Sequence, residues 1–122
     1  MKSIILSVLL FVYCNASAKK GVGCDAGCSA NTITTMGAGW WYNWGARPHI
    51  SSPVQFVPMI FSINRMDEVP PYSVHLLGFN EPNLEGLTPE QAATVWPTLV
   101  SKAGTIASPA QSGNPYRDNS WL

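Results

Sequence analysis

Residues 54–61 form an almost wholly apolar run, and this run constrains the fold more than any other feature of the chain. A half-exposed strand alternates apolar with polar residues, whereas a strand that is covered on both faces is apolar throughout. Pro58 cannot donate a ladder hydrogen bond, so a bulge or an irregular rim is expected there. Other short apolar runs repeat the theme, and together they predict parallel strands at residues 20–24, 39–44, 54–61, 74–80 and 105–108.

The clearest helix signal begins at Thr88, which can cap a helix, with Pro89 at the first helical position. Gln91 can close a capping box with Thr88. Apolar residues then recur at helical spacing, at Ala92, Val95, Trp96 and Leu99. Pro97 lacks a backbone N–H and crowds the preceding turn, so the helix is expected to kink there or to end early. A weaker helix signal covers residues 29–36.

Strands that alternate with connections and pair in parallel predict an α/β architecture. An open doubly wound sheet usually carries a glycine-rich phosphate turn after its first strand. Residues 21–26 supply the first two glycines of such a turn, but Ala26 stands third and no clear helix follows directly. A barrel is therefore favoured over a dinucleotide-binding sheet. A complete (β/α)8 TIM barrel takes about 250 residues, so we expect an incomplete barrel with about the first five strands.

The N-terminus has the three-part layout of a secretory signal peptide. Lys2 precedes an apolar run at residues 4–13, and Ala16-Ser17-Ala18 provides a small-residue cleavage site. A run of about ten residues is short for a membrane span, which needs about twenty, so a membrane anchor is the weaker alternative. We expect a signal peptide at residues 1–18, a domain at residues 19–122, and a secreted protein of the extracellular space or cell wall.

The charge balance argues against polyanionic partners. Lysine plus arginine and aspartate plus glutamate number seven each, and only 11% of the residues are charged. Electrostatic capture of nucleic acid or of an anionic membrane surface needs a basic excess, which this chain lacks. The composition therefore indicates a neutral partner, with neither nucleic acid nor a membrane expected.

Two cysteines, Cys24 and Cys28, remain after removal of the signal peptide. In an oxidising compartment they could form a short-loop disulfide, and two unpaired thiols are the alternative. A zinc site would need further ligands, and His49 and His75 do not have metal-like spacing to this pair. No metal and no cofactor are expected.

Aromatic and amide residues cluster where the predicted strands end, and in a barrel the C-terminal strand ends converge on one face. Sugar rings present flat C–H faces rimmed by hydroxyl groups, so a carbohydrate cleft needs aromatic platforms and hydrogen-bonding amides. The alternative for each tryptophan is a place in the core. The candidate substrate-binding residues are Trp41, Tyr42, Asn43, Trp44 and Asn80.

Glu81 directly follows the predicted strand at residues 74–80, and Pro82 ends that strand. A carboxyl group at this place is expected to be partly enclosed by apolar walls, which would raise its pKa toward the range that a general acid needs. An ordinary loop carboxylate is the alternative. The position predicts Glu81 as a catalytic acid.

Taken in order along the chain, several motifs resemble the catalytic core of glycoside hydrolase family 128, which comprises secreted endo-β-1,3-glucanases with a (β/α)8 barrel. The resemblance implies that Glu81 is the general acid/base at the end of the fourth strand and that Asn80 precedes it as in related enzymes. It also implies that aromatic residues of the second strand line a cleft for β-glucan polysaccharide or oligosaccharide. The motifs are Gly39-Trp40-Trp41-Tyr42-Asn43-Trp44, Phe56-Val57-Pro58-Met59, Leu76-Leu77-Gly78-Phe79-Asn80-Glu81-Pro82-Asn83, Leu87-Thr88-Pro89-Glu90-Gln91-Ala92-Ala93 and Ser108-Pro109-Ala110.

Retaining hydrolysis needs a second carboxyl group about 5 Å from the first. In the family this nucleophile belongs to a later strand, near the seventh, and no residue of this chain matches it. None of the other acids of the mature chain is a convincing substitute. We therefore expect the chain to be an inactive N-terminal piece of a retaining glucanase; a truncated, lectin-like glucan-binding barrel and a piece without function are the alternatives. The acids considered are Asp25, Asp67, Glu68, Glu85, Glu90 and Asp118.

Overall fold

The structure is a computed structural model that describes residues 17–68 and 71–113. Apart from Ser17 and Ala18, the predicted signal peptide lies outside these residues. The described chain contains five strands, two α-helices and one 3-10 helix, and none of these helices is both long and apolar enough to cross a membrane. The elements are β1 (Ser17–Gly23), α1 (Ala30–Thr35), β2 (Ala38–Tyr42), β3 (Gln55–Phe56), a 3-10 helix (Ile63–Glu68), β4 (Ser73–Leu76), α2 (Pro89–Val100) and β5 (Ala103–Ile106).

All strand pairs are parallel, which confirms the predicted α/β class. Strands β1, β2 and β3 form one sheet in that order, and β4 pairs with β5 in a second sheet. A parallel bridge between Met59 and Leu77 joins the two sheets. There the Ile60 N–H donates to the Leu77 carbonyl at 3.0 Å, and the Leu77 N–H donates to the Pro58 carbonyl at 2.9 Å. Each strand therefore neighbours the next one in the chain.

The central apolar run pairs less regularly than its composition predicts. Only Gln55 and Phe56 form strand β3, rather than residues 54–61. Pro58 has no N–H to donate, and only its carbonyl takes part in the pairing with Leu77. The second half of the run is nevertheless buried, because Val57, Met59 and Ile60 are all in the core, whereas Gln55 is exposed. The apolar pattern thus predicts the burial of this half and overstates the length of the strand.

Helix α2 begins as its sequence predicts. The Gln91 N–H donates to the Thr88 hydroxyl at 3.2 Å, and the Thr88 N–H donates to the Gln91 side-chain oxygen at 2.9 Å. Of the two outcomes expected at Pro97, a kink or an early end, the early end is wrong, because the helix continues to Val100. Pro97 itself is exposed, and its carbonyl accepts from the Ser101 N–H at 3.1 Å. One missing hydrogen bond on the solvent side does not stop a helix whose other face is packed.

Two apolar clusters pack helices onto the parallel strands. The larger one packs α2 onto β4 and the chain that follows it, and it includes Leu76, Phe79 and Leu99, which are all almost completely buried. The smaller one packs α1 onto β2 through Ile33 and Trp41. Helices that cover a parallel sheet leave the loops at the strand ends free to build a site.

Candidate active site

The ends of three strands are joined by backbone hydrogen bonds at one edge of the molecule. The Asn80 N–H donates to the Phe61 carbonyl at 3.0 Å, which ties the segment after β4 to the segment after β3. The Glu81 N–H donates to the Ala110 carbonyl at 2.7 Å, and the Ala110 N–H donates to the Phe79 carbonyl at 2.9 Å. These bonds bring the predicted catalytic segment to the C-terminal edge of the strands.

Glu81 occupies a left-handed backbone conformation, with φ of 43°. Its carbonyl accepts from the Leu84 N–H at 2.9 Å and from the Glu85 N–H at 3.3 Å, so the chain turns sharply after β4. Within the described residues, Trp44 is the one other non-glycine residue with positive φ, at 60°. Such conformations are unfavourable for side chains with a Cβ, and they cluster at functional sites. Both of these residues were candidates from the sequence alone.

The surroundings of Glu81 differ from the prediction. Its side chain is exposed, so the described residues do not provide the apolar enclosure that was expected from the sequence. The reason is the turn: Pro82 is buried in place of Glu81, and the left-handed conformation directs the carboxylate away from the core. The carboxylate is therefore open to a ligand at the strand edge.

Asn83 holds the Glu81 turn in place, and sequence reasoning missed this role. Its side-chain amide donates to the Ser112 carbonyl at 3.1 Å, and its side-chain oxygen accepts from the Ser112 N–H at 3.0 Å. The two bonds connect the turn after β4 with the segment after β5. Asn83 is part of the motif Asn80-Glu81-Pro82-Asn83 that the sequence analysis selected. Its hydrogen-bond partner Ser112 lies 29 positions further along the chain, and a sequence alone does not show that the two residues meet.

An aromatic row lines one face of β2 and continues past its end, and it comprises Trp40, Tyr42 and Trp44. The ring centroids of Tyr42 and Trp44 are 4.8 Å apart, and those of Trp40 and Tyr42 are 6.2 Å apart. All three side chains are partly exposed. Tyr42 and Trp44 were predicted as substrate-binding residues, and Trp40 was not, although the structure places it in the same row.

Two glycines of the neighbouring strand β1 make room for this aromatic row. Gly21 is paired with Trp40, and Gly23 with Tyr42. A Cβ at Gly21 would collide with the Trp40 ring, and a Cβ at Gly23 would lie 2.8 Å from the Trp44 ring. The glycines at residues 21 and 23 therefore make room for side-chain packing and do not form a phosphate-binding turn.

Trp41, predicted as a sugar platform, is instead a core residue. It is 1% exposed, and its side chain points to the face of β2 that α1 covers. Its indole N–H donates to the Val54 carbonyl at 3.1 Å, and its ring meets Phe56 edge-on with centroids 4.8 Å apart. Because side chains alternate across a strand, Trp41 is directed away from its aromatic neighbours.

Asn43, also predicted to bind substrate, has its amide committed to its own loop. Its side-chain oxygen accepts from the Gly45 N–H at 3.1 Å. Its side-chain nitrogen lies 3.0 Å from the Arg47 carbonyl and 2.8 Å from His49 Nδ1. The side chain therefore shapes the turn that carries Trp44 rather than offering free groups to a ligand.

Cys24 and Cys28 form a disulfide, with their Cα atoms 5.5 Å apart. The Cys24 N–H donates to the Tyr42 carbonyl at 2.8 Å, and both cysteines pack in the apolar cluster that contains Trp41. Of the two histidines, His49 packs on the edge of Trp41 and His75 is exposed on β4. Across residues 17–68 and 71–113, no cluster of three potential metal ligands occurs.

Residues 21–122 match the glycosyl hydrolase catalytic core family. The chain belongs to this family. A family GH128 (subgroup I) endo-β-1,3-glucanase from Amycolatopsis mediterranei, solved in complex with laminaritriose, is 31% identical with a TM-score of 0.65. That comparison covers 84% of this chain and 48% of the glucanase. The resemblance to family 128 that the motifs indicated is thus confirmed.

Two further solved structures extend the comparison. A GH128 (subgroup V) exo-β-1,3-glucanase from Cryptococcus neoformans is 25% identical, with a TM-score of 0.58 over 84% of this chain and 51% of that one. A GH128 (subgroup III) curdlan-specific exo-β-1,3-glucanase from Blastomyces gilchristii is 24% identical, with a TM-score of 0.60 over 84% of this chain and 51% of that one. At this identity the comparison shows similarity of fold. No curated protein matches significantly. The chain spans about half the length of these solved structures.

The fit between glycine and aromatic residues can be tested with Gly23→Ala. The added methyl group would meet the Trp44 and Tyr42 rings, and overpacking of this kind costs about 1–3 kcal/mol of unfolding free energy. We expect a lower midpoint in urea unfolding and a changed tryptophan fluorescence spectrum. Gly27→Ala is the matched control, because a Cβ at Gly27 meets nothing within 4 Å. Equal stability of the two variants would contradict the packing role.

The left-handed conformation of Glu81 predicts that a glycine variant at this position is more stable than an alanine variant, which is the reverse of the order within a helix. Glu81→Gly should be more stable than Glu81→Ala by about 1 kcal/mol, because glycine adopts positive φ without steric cost. At Thr94, which is exposed within α2, the order should be reversed by a similar amount. Urea unfolding of the four variants measures both differences. If the alanine variant is more stable than the glycine variant at both positions, Glu81 does not hold the left-handed conformation.

Proposed function

We propose that the protein is a retaining glycoside hydrolase that cleaves β-1,3-glucan internally, with Glu81 as its general acid/base. The observation that carries the proposal is the placement of Glu81, whose carboxylate is exposed at the C-terminal strand edge on a left-handed turn. The similarity to a subgroup I endo-β-1,3-glucanase bound to laminaritriose supports the substrate class and the mode of cleavage.

In this mechanism Glu81 acts twice. It first protonates the glycosidic oxygen as the bond to the leaving sugar breaks, and it then removes a proton from the water that hydrolyses the glycosyl-enzyme intermediate. Asn80 precedes it, and its backbone is held by the bond to Phe61 and by a bridge to Ala110. We assign Asn80 to binding a hydroxyl group of the sugar beside the scissile bond.

The glucan cleft is assigned to the exposed edges of the aromatic row. Tyr42 and Trp44 offer partly exposed rings at the end of β2, and Trp40 continues the row along the strand. Stacking of C–H faces on such rings would orient the glucan without any charge. Trp41 and Asn43 are left out of this cleft, because their side chains are occupied within the fold.

The nucleophile is assigned to a carboxylate outside the described residues. Glu68 accepts a hydrogen bond from Arg65 at 2.7 Å, which lowers its pKa and commits it to an exposed ion pair. In the first turn of α2, hydrogen bonds from its own backbone N–H and from Thr88 lower the pKa of Glu90. Glu85 lines a separate cavity of about 170 Å3 with Ser62 and Asn64, and Glu81 is not among the residues that line it.

We further propose that the five strands are the first part of a (β/α)8 barrel and that the protein is secreted after cleavage behind Ala18. The strands lie side by side in the order in which they occur along the chain, and this order supports the barrel. Cleavage behind Ala18 is compatible with the fold, because the regular pairing of β1 with β2 involves Gly21 to Gly23. The register of β1 shifts between Ser17 and Gly21, so Ser17 is not part of this regular pairing.

The first functional prediction concerns the chain as it stands. Purified residues 19–122 should release no reducing sugar from laminarin above the level of the same chain with Glu81→Gln, because hydrolysis with retention needs both carboxylates. Activity that the Glu81→Gln change abolishes would contradict our assignment of the nucleophile.

The second functional prediction concerns a form of the protein that hydrolyses laminarin. In that form, Glu81→Gln should lower kcat/KM on laminarin by several orders of magnitude, because the leaving sugar is then no longer protonated. A substrate with a good leaving group, such as an aryl laminarioside, needs little protonation. Its glycosylation step, measured by the pre-steady-state burst, should therefore be largely spared.

The matched control for this experiment is Glu85→Gln, four positions further along the same turn. It removes the same charge close to the site, so a general electrostatic effect would appear in both variants. We expect activity close to that of the parent protein. Equal losses of Glu81→Gln on laminarin and on the aryl substrate would assign Glu81 a role other than proton transfer.

A further inference from the structure

The side-chain amide of Gln111 makes no hydrogen bond within the described fold. Both polar atoms of its amide are inaccessible to solvent, and neither finds a hydrogen-bond partner among the residues that the structure describes. Burying an amide without partners is unfavourable, because the group loses its hydrogen bonds to water. An orphaned side chain of this kind calls for a physical explanation.

Three other amide side chains, those of Asn43, Asn83 and Gln91, do have partners inside the fold. Asn43 bonds to its own loop, and Asn83 bonds twice to the backbone of Ser112. Gln91 closes the capping box of α2. The fold therefore satisfies amides where their role is structural, and Gln111 is different in this respect.

The backbone on both sides of Gln111 is fastened to the turn that carries Glu81. On one side, the Ala110 carbonyl accepts from the Glu81 N–H at 2.7 Å. On the other side, Ser112 forms the pair of bonds with Asn83, at 3.1 and 3.0 Å. The backbone of Gln111 is thus held next to the turn that carries the proposed acid/base, and three rotatable side-chain bonds separate its amide from that backbone.

The chemistry of an amide matches that of a neutral sugar. A glutamine side chain offers two donors and one acceptor, and the neighbouring hydroxyl groups of a pyranose can both donate and accept. A charged or apolar ligand would not satisfy both ends of the amide. The missing partner that fits best is therefore a pair of sugar hydroxyl groups.

We propose that Gln111 is a substrate-binding residue of the Glu81 site. When β-glucan binds, its amide turns out of the buried position and forms hydrogen bonds with two hydroxyl groups of the pyranose held next to Glu81. This inference rests on the proposed function, and it assigns a binding contact to the segment after β5. Such a contact would fix the rotation of the sugar ring relative to the carboxylate.

The test compares Gln111→Met with its parent, using the full chain that also carries Glu81→Gln so that no turnover occurs. Methionine has a similar shape but no hydrogen-bonding amide. We expect the Tm to rise by a few degrees, because an unsatisfied buried amide is removed. The Kd for laminaritriose, measured by calorimetry, should weaken about ten-fold, as expected for two lost hydrogen bonds.

The matched control is Gln55→Met, since Gln55 is an exposed amide on β3. It should change neither the Kd nor, by more than a degree, the Tm. Gln111→Leu provides a second apolar variant in case methionine packs badly, and the same two shifts are expected for it.

Each other outcome overturns a definite part of the proposal. A lower Tm in both Gln111 variants would mean that the amide has a partner within the protein. A higher Tm with an unchanged Kd would mean that the amide is unsatisfied and does not bind glucan. Absence of laminaritriose binding in the parent would contradict the proposed function itself, and the assignment of Gln111 would fall with it.

Discussion

The hydrogen bond from the Glu81 N–H to the Ala110 carbonyl, at 2.7 Å, fixes the geometry on which the site depends. It joins the segments after β4 and β5 where the regular pairing of these strands has already ended. The Asn83 side chain adds a second connection across the same gap. Loops that carry catalytic groups need such support, because a small displacement of a carboxylate is costly for catalysis.

Much of the architecture could be predicted because it depends on local patterns. The runs of apolar residues gave the parallel strands, and the Thr88–Gln91 pair gave the start of α2 with its capping box. The end of α2 could not be predicted in the same way. Proline carries a strong local preference against helix, and the burial of Leu99 on the far side of Pro97 overrides it. Tertiary packing of this kind is not visible in a window of sequence.

The predictions for Trp41 and Asn43 differ from the structure for one shared reason. The sequence places Trp41 and Asn43 beside true surface residues, but it does not say which face each side chain occupies or which partners are in reach. Burial removes Trp41 from the site, and three contacts within one loop occupy Asn43. The exposure of Glu81 follows from a backbone conformation that side-chain chemistry does not encode.

The glycines of β1 also decide how β2 is aligned with its neighbour. Strand β2 carries large aromatic rings on both of its faces, so apolar character alone would not distinguish the correct pairing from one displaced by a single residue. In a displaced pairing, Val22 would stand where Gly21 or Gly23 now leaves space for Trp40 and Tyr42. The absence of two side chains therefore excludes the misaligned sheet, and it does so without contributing any attractive contact of its own.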